Sequence, residues 1–160
     1  MDKPVFPLIN IYDSYHVDLL SSDINLFKAK TSELLDMGDE SLVYDASGKV
    51  WRYKLSSKSF KNTFLRRLLA YTFYNPEYDT QPVWSQKGEY ELDDLKDSLK
   101  QCVDKDDDVI TQYEDADIIK REIDISFTFP DLIDVLNKYV FDVRHDEIAA
   151  ERKSRGEEDL

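Results

Sequence analysis

The apolar positions of this chain change rhythm part way along it. Through residue 55 they come in short runs broken by turn residues. Leu8, Ile9 and Ile11 precede a polar Asp13-Ser14 pair, and Val17, Leu19 and Leu20 follow it. That arrangement predicts two strands joined by a turn. Leu42, Val43 and Tyr44 then lead into Asp45-Ala46-Ser47-Gly48, after which Val50, Arg52 and Lys54 alternate with Trp51, Tyr53 and Leu55. The alternation gives one strand two unlike faces, and Gly48 suits a left-handed turn position. Between these hairpins, Ser22 or Asp23 can cap a short helix containing Leu26 and Phe27.

Beyond residue 90 the spacing becomes helical. Leu92, Leu95, Leu99 and Cys102 share one face, with Asp93 and Asp94 near the positive end of the helix dipole. A second helix is expected to begin near Asp106–Asp108, with Ile110, Tyr113, Ala116 or Asp117, Ile119 or Lys120, and Ile123 as a looser stripe and a break near Asp115. A third starts at Thr128, where Asp131 completes a capping box and Pro130 sits in the first turn. Leu132, Ile133, Leu136, Tyr139 and Val140 form its apolar face.

Two stretches resist this reading. Residues 64–74, FLRRLLAYTFY, satisfy both a strand and a short helix, and Asn75-Pro76 ends whichever forms. Residues 75–90, with Pro82 and Gly88, read as a loop or irregular strand. Strands followed by helices predict an α+β fold, in which N-terminal antiparallel hairpins form a sheet and C-terminal helices pack against it. The expected organisation is a single domain over 1–143 and a polar tail over 144–160, either a frayed helix or disordered.

Charge sharpens the picture. The chain of 160 residues is 41% hydrophobic and 34% charged, which places it among globular rather than disordered sequences. Its net charge of −13 repels phosphates and anionic lipid headgroups, so nucleic-acid and membrane adhesion are disfavoured and a basic protein partner is favoured. The charge is also polarised: residues 41–74 carry a net +6, whereas 77–142 carry −12.

Cys102 stands alone, which rules out an internal disulfide and a cysteine-rich zinc site. No basic segment followed by an apolar run opens the sequence, and no stretch is long enough to span a bilayer. A cytoplasmic location is the expectation.

Candidate chemistry is sparse. His16 and His145 lie in different terminal regions without metal-ligand spacing, and the glycines at 38, 48, 88 and 156 build no phosphate loop. No catalytic residue, metal or cofactor is expected, so the chain reads as a binding protein and not an enzyme. The run Asp104-Lys105-Asp106-Asp107-Asp108 invites comparison with a calcium loop. It fails at the glycine position, occupied by Val109, and at the final bidentate position, where Asp115 stands instead of glutamate.

Two readings of that run stay open. Its aspartates can cap the next helix. Alternatively, with Glu114, Asp115 and Asp117 they form a concentrated negative surface for lysines and arginines, with Tyr113 as an aromatic anchor. The basic stretch from Lys49 to Arg67 could stack bases on Trp51, Tyr53 and Phe60. The favoured reading instead buries Trp51, Tyr53 and Leu55 and solvates the cations, since the rest of the molecule would repel a polyanion.

Four segments in succession carry a resemblance: PLINIYDSYHVDLL, LVYDASGKVWRYKL, LDDLKDSLKQCVDKDDDVITQYEDADIIKREI and SFTFPDLIDVL. Over about residues 7–140 the chain resembles small bacterial immunity proteins encoded beside polymorphic toxins, including those of contact-dependent growth inhibition systems. The resemblance implies an antitoxin-like protein that binds the C-terminal domain of a cognate toxin, often a nuclease with a basic cleft, and blocks it without catalysis. Asp104, Asp106, Asp107, Asp108, Tyr113, Glu114, Asp115 and Asp117 are then the expected toxin-binding residues. A regulatory interaction module without a toxin partner, and a hydrolase with an unrecognised carboxylate pair, are the competing expectations. The oligomeric state is left open.

Overall fold

The computed structural model describes residues 3–36, 41–72, 74–106 and 108–157. The fold is α+β, with a five-stranded antiparallel sheet built from the N-terminal strands and helices at the C-terminus. Contacts divide the chain into two compact units, one of residues 1–10 and 20–89, the other of 11–19 and 90–160.

The sheet runs in the order His16–Leu20, Leu8–Tyr12, Leu42–Asp45, Lys49–Ser56 and Gln81–Glu89. Strands β1 (Leu8–Tyr12) and β2 (His16–Leu20) flank a turn in which Asp13 and Ser14 have φ of 51° and 68°. Both values are left-handed, which short polar side chains tolerate and which matches the twist of a two-residue hairpin. Strands β4 (Leu42–Asp45) and β5 (Lys49–Ser56) form the second hairpin, with Val43 opposite Trp51 and Gly48 at φ 81°. Leu8, Leu20, Val43 and Trp51 are buried together, and Phe6, Tyr53 and Trp84 pack against them.

Strand β7 (Gln81–Glu89) occupies the stretch expected to be a loop or irregular strand. It pairs antiparallel with β5 from Lys49↔Glu89 to Ser56↔Gln81. Pro82 is compatible with this strand because β7 is the sheet edge, where a missing N–H breaks no ladder on the open side. A smaller pair, β3 (Lys28–Lys30) and β6 (Glu77–Asp79), had no signal in the apolar spacing. It is held by hydrogen bonds across the chain: Thr80 donates from N to Phe27 O at 2.8 Å and from Oγ1 to Leu26 O at 2.6 Å.

Asp23 opens a 3-10 turn over Ile24–Phe27, and α1 spans Thr31–Asp36. The ambiguous 64–74 segment becomes helix α2 (Phe64–Ala70), begun by Thr63, whose hydroxyl accepts from Arg66 N.

From Leu92 onward the elements are helices. Helix α3 (Leu92–Lys105) starts with a capping box between Glu91 and Asp94 and buries Leu95, Leu99, Cys102 and Val103. Helix α4 covers Ala116–Ile125 and not residues from 106 onward, because Asp106 turns the preceding chain into a loop. Helix α5 (Phe129–Leu136) begins with the expected Thr128–Asp131 capping box and runs into a π-helical turn over Asn137–Phe141.

The segment expected as a frayed or disordered tail forms helix α6 (His145–Ser154). Ile148 is buried on it, and Arg152 and Arg155 pair with Glu114. These long-range partners, invisible in the local apolar content, are what order it.

Candidate functional site

Helices α3 and α4 form an antiparallel hairpin stitched by ion pairs. Lys100 Nζ lies 2.7 Å from Asp124 Oδ1 and 3.0 Å from Asp97 Oδ1. One turn earlier, Lys96 Nζ lies 3.6 Å from Asp93 and donates to the Asp124 carbonyl at 3.2 Å. At the other end, Lys120 Nζ reaches Asp104 at 2.7 Å and Asp117 at 3.2 Å. Hydrogen bonds to Asp124 and then Asp97 hold the Lys100 ammonium pKa above its ordinary value, and Asp104 and Asp117 do the same for Lys120.

The stitching is layered. The three lysine side chains are only 13–27% exposed, whereas the five aspartates keep 56–92% of their surface in solvent. Three cations below and five anions above leave the outer layer carboxylate-rich. Long lysine stems cover apolar helix surface while their charged ends reach the carboxylates, which explains the order of the layers. Ile125, the last residue of α4, is 63% exposed, and Phe127 just beyond it is 87% exposed. Phe127 is held in place through its backbone N–H, which donates to Asp131 Oδ2 at 2.9 Å.

This surface shares only two residues with the expected binding set. Asp104 and Asp117 belong to it, brought together by Lys120. Asp106 builds a turn instead: its Oδ2 accepts from Ile110 N at 2.7 Å and from Thr111 N at 3.1 Å. Asp107 lies outside the described residues. Asp108 is exposed at φ 66°, the left-handed corner of the same turn. Asp115 is exposed, and its carbonyl accepts from Ile118 N and Ile119 N to start α4. Tyr113 is half-buried, its ring edge-on to His145 with centroids 4.8 Å apart.

Glu114 departs furthest from expectation. Its side chain is fully buried, 2.6 Å from Arg155 and 3.3 Å from Arg152, so it is internal and offers nothing to a partner. Glu157 closes the cluster 3.0 Å from Arg155. Glu114, Asp115 and Glu157 approach one another closely enough to suggest a cation site. Arg152 and Arg155 already supply the positive charge there, and a further cation would have to displace them.

Sequence reasoning passed over Asp93, Asp97, Asp124 and Phe127. A signal for two of them was present: Asp93-x-x-Lys96 and Asp97-x-x-Lys100 share the i,i+3 spacing of Asp117-x-x-Lys120. Which helix faces pair, and so which carboxylates share a layer, is decided by the packing of α3 on α4.

Among the described residues, no helix is long and apolar enough to cross a membrane. No protein-family model, curated protein or solved structure matches the chain.

Proposed function

We propose that the chain is a non-catalytic, acidic binding protein that covers a basic surface of a partner protein, in the manner of an immunity protein neutralising a nuclease toxin domain. The observation that carries this reading is the layered seam of α3 and α4, five exposed aspartates over three shielded lysines, ending at an 87% exposed Phe127. Carboxylates so arranged stand where the phosphates of a nuclease substrate would lie. The lysines beneath spare the helices their mutual repulsion, and Phe127 offers an aromatic anchor beside the charged row. The net −12 of residues 77–142 adds long-range steering toward a cationic target.

Co-expression tests the function directly. A cognate basic nuclease toxin domain should arrest growth alone and fail to do so in the presence of this chain. Unrelieved arrest sinks the toxin reading and leaves a regulatory interaction module. The interface is tested separately. Replacing Asp93, Asp104 and Asp117 with asparagine should slow association about tenfold at low salt and flatten its salt dependence, since such charges act mainly on encounter. Unchanged association with an inhibited toxin would move the interface elsewhere while the function stood.

A further inference from the structure

The first unit holds a feature of opposite sign. A cavity of about 220 Å³ opens on β5 and β7, and its lining includes Arg52, Lys54, Val83, Ser85 and Lys87. The register explains the convergence: Arg52 lies opposite Ser85 and Lys54 opposite Val83, so these side chains share a face. Pairing jumps from Trp51↔Gln86 to Val50↔Gly88, which leaves Lys87 as the extra residue of a bulge. Bulges re-aim side chains, and this one adds a third cation to the row.

Arg52 supplies the second observation. Its Nε is shielded from solvent and, among the described residues, has no hydrogen-bond acceptor. A buried guanidinium N–H without an acceptor is costly, and its planar fork suits a tetrahedral oxyanion. The same side chain lines the cavity.

We infer that this cavity is a binding site for a phosphate-bearing small molecule, held by Arg52 and Lys87 with the Ser85 hydroxyl as an added donor. The space is larger than a bare oxyanion fills, and Val83, 54% exposed, gives an apolar wall for an organic substituent. The net charge of the chain argues against an extended polyanion but not against a single phosphate in a local pocket of positive potential. The site is confined to the first unit and does not depend on the partner surface proposed above.

Titration calorimetry on the full chain in low-salt buffer, with inorganic phosphate and separately with AMP, tests the assignment. Saturable binding of both identifies phosphate itself as the recognised group, and binding of AMP alone identifies a phosphate monoester. Arg52→Gln should weaken either by about tenfold, the worth of one charge-assisted hydrogen bond. Lys87→Gln, on the exposed edge strand, should weaken it about threefold and keeps the test valid if the Arg52 variant fails to fold. The proposal is overturned by absence of heat with both ligands, by variants that bind like the parent chain, or by amide shifts on phosphate addition that leave residues 52, 85 and 87 unmoved.

Discussion

Trp51 Nε1 donates a 2.8 Å hydrogen bond to Asp45 Oδ2, and neither residue has more than 1% of its surface in solvent. The carboxylate also accepts from Ser47 N at 2.9 Å, Ser47 Oγ at 2.6 Å, Lys49 N at 3.1 Å and Val5 N at 3.3 Å. One aspartate thus closes the β4–β5 turn, orients the largest core side chain and ties down the chain near the N-terminus. Burial pushes its pKa up, and the hydrogen bonds from Ser47, Lys49, Trp51 and Val5 more than reverse that, leaving it below the ordinary value.

Asp45→Asn should therefore cost about 2–4 kcal/mol, because an amide turns one acceptor oxygen into a donor facing donors. Denaturant unfolding followed by tryptophan fluorescence measures it. The parent chain should lose this contribution as pH falls below about 3.9, where the unfolded carboxyl takes a proton that the folded one still refuses. The variant should show a shallower acid limb. Equal acid limbs would mean that Asp45 is not the group responsible.

Breaking the Glu114 cluster should be worse than its position near a loop suggests. Glu114→Gln leaves Arg152 and Arg155 facing an uncharged amide in a buried site, at a cost of roughly 3 kcal/mol. Exposed Asp108→Asn should cost under about 0.5 kcal/mol. Thermal unfolding of the two variants gives the comparison, and similar melting temperatures would refute the internal role of Glu114.

Lys138 is buried in the π-helical turn, with its Nζ 2.9 Å from Glu122 and from Glu151. Tyr139 OH donates to the same Glu122 oxygen at 2.7 Å. Lys138→Met should destabilise by about 3–5 kcal/mol, since it strands carboxylates beside one another. Adding Glu151→Gln should recover part of that loss. A double variant as destabilised as the sum of the two single changes would show that the groups act independently.

Cys102 gives an alkaline signature. Burial pushes its thiol up to about 11 from an ordinary 9.0. Between those values the unfolded thiol has lost its proton and the folded one retains it, so stability falls as pH rises, by roughly 2–3 kcal/mol across the window. Cys102→Ala should remove that slope, and iodoacetamide should modify the parent chain only at the rate of its opening. Rapid alkylation of the native protein would contradict the burial.

Local pattern and chemistry were enough for the β1–β2 and β4–β5 hairpins, for helix α3 and for the Thr128 start of α5. In each, neighbouring residues carry the information: paired left-handed positions at Asp13 and Ser14, a glycine at 48, apolar residues at helical spacing, a threonine and aspartate three apart. The α+β class followed from their order, and the strong negative charge from composition alone.

Tertiary structure decided the rest, because the deciding partners lie far apart in sequence. Strand β7 forms against β5 despite Pro82, and α6 is ordered where Arg152 and Arg155 meet Glu114 about forty residues away. The same holds for the acidic surface. A count of charges could not tell that Glu114 is buried and Asp106 builds a turn, nor that Asp93, Asp97 and Asp124 stand exposed over their lysines. A carboxylate binds a partner only if its own fold leaves it in water, and that depends on which helix faces meet.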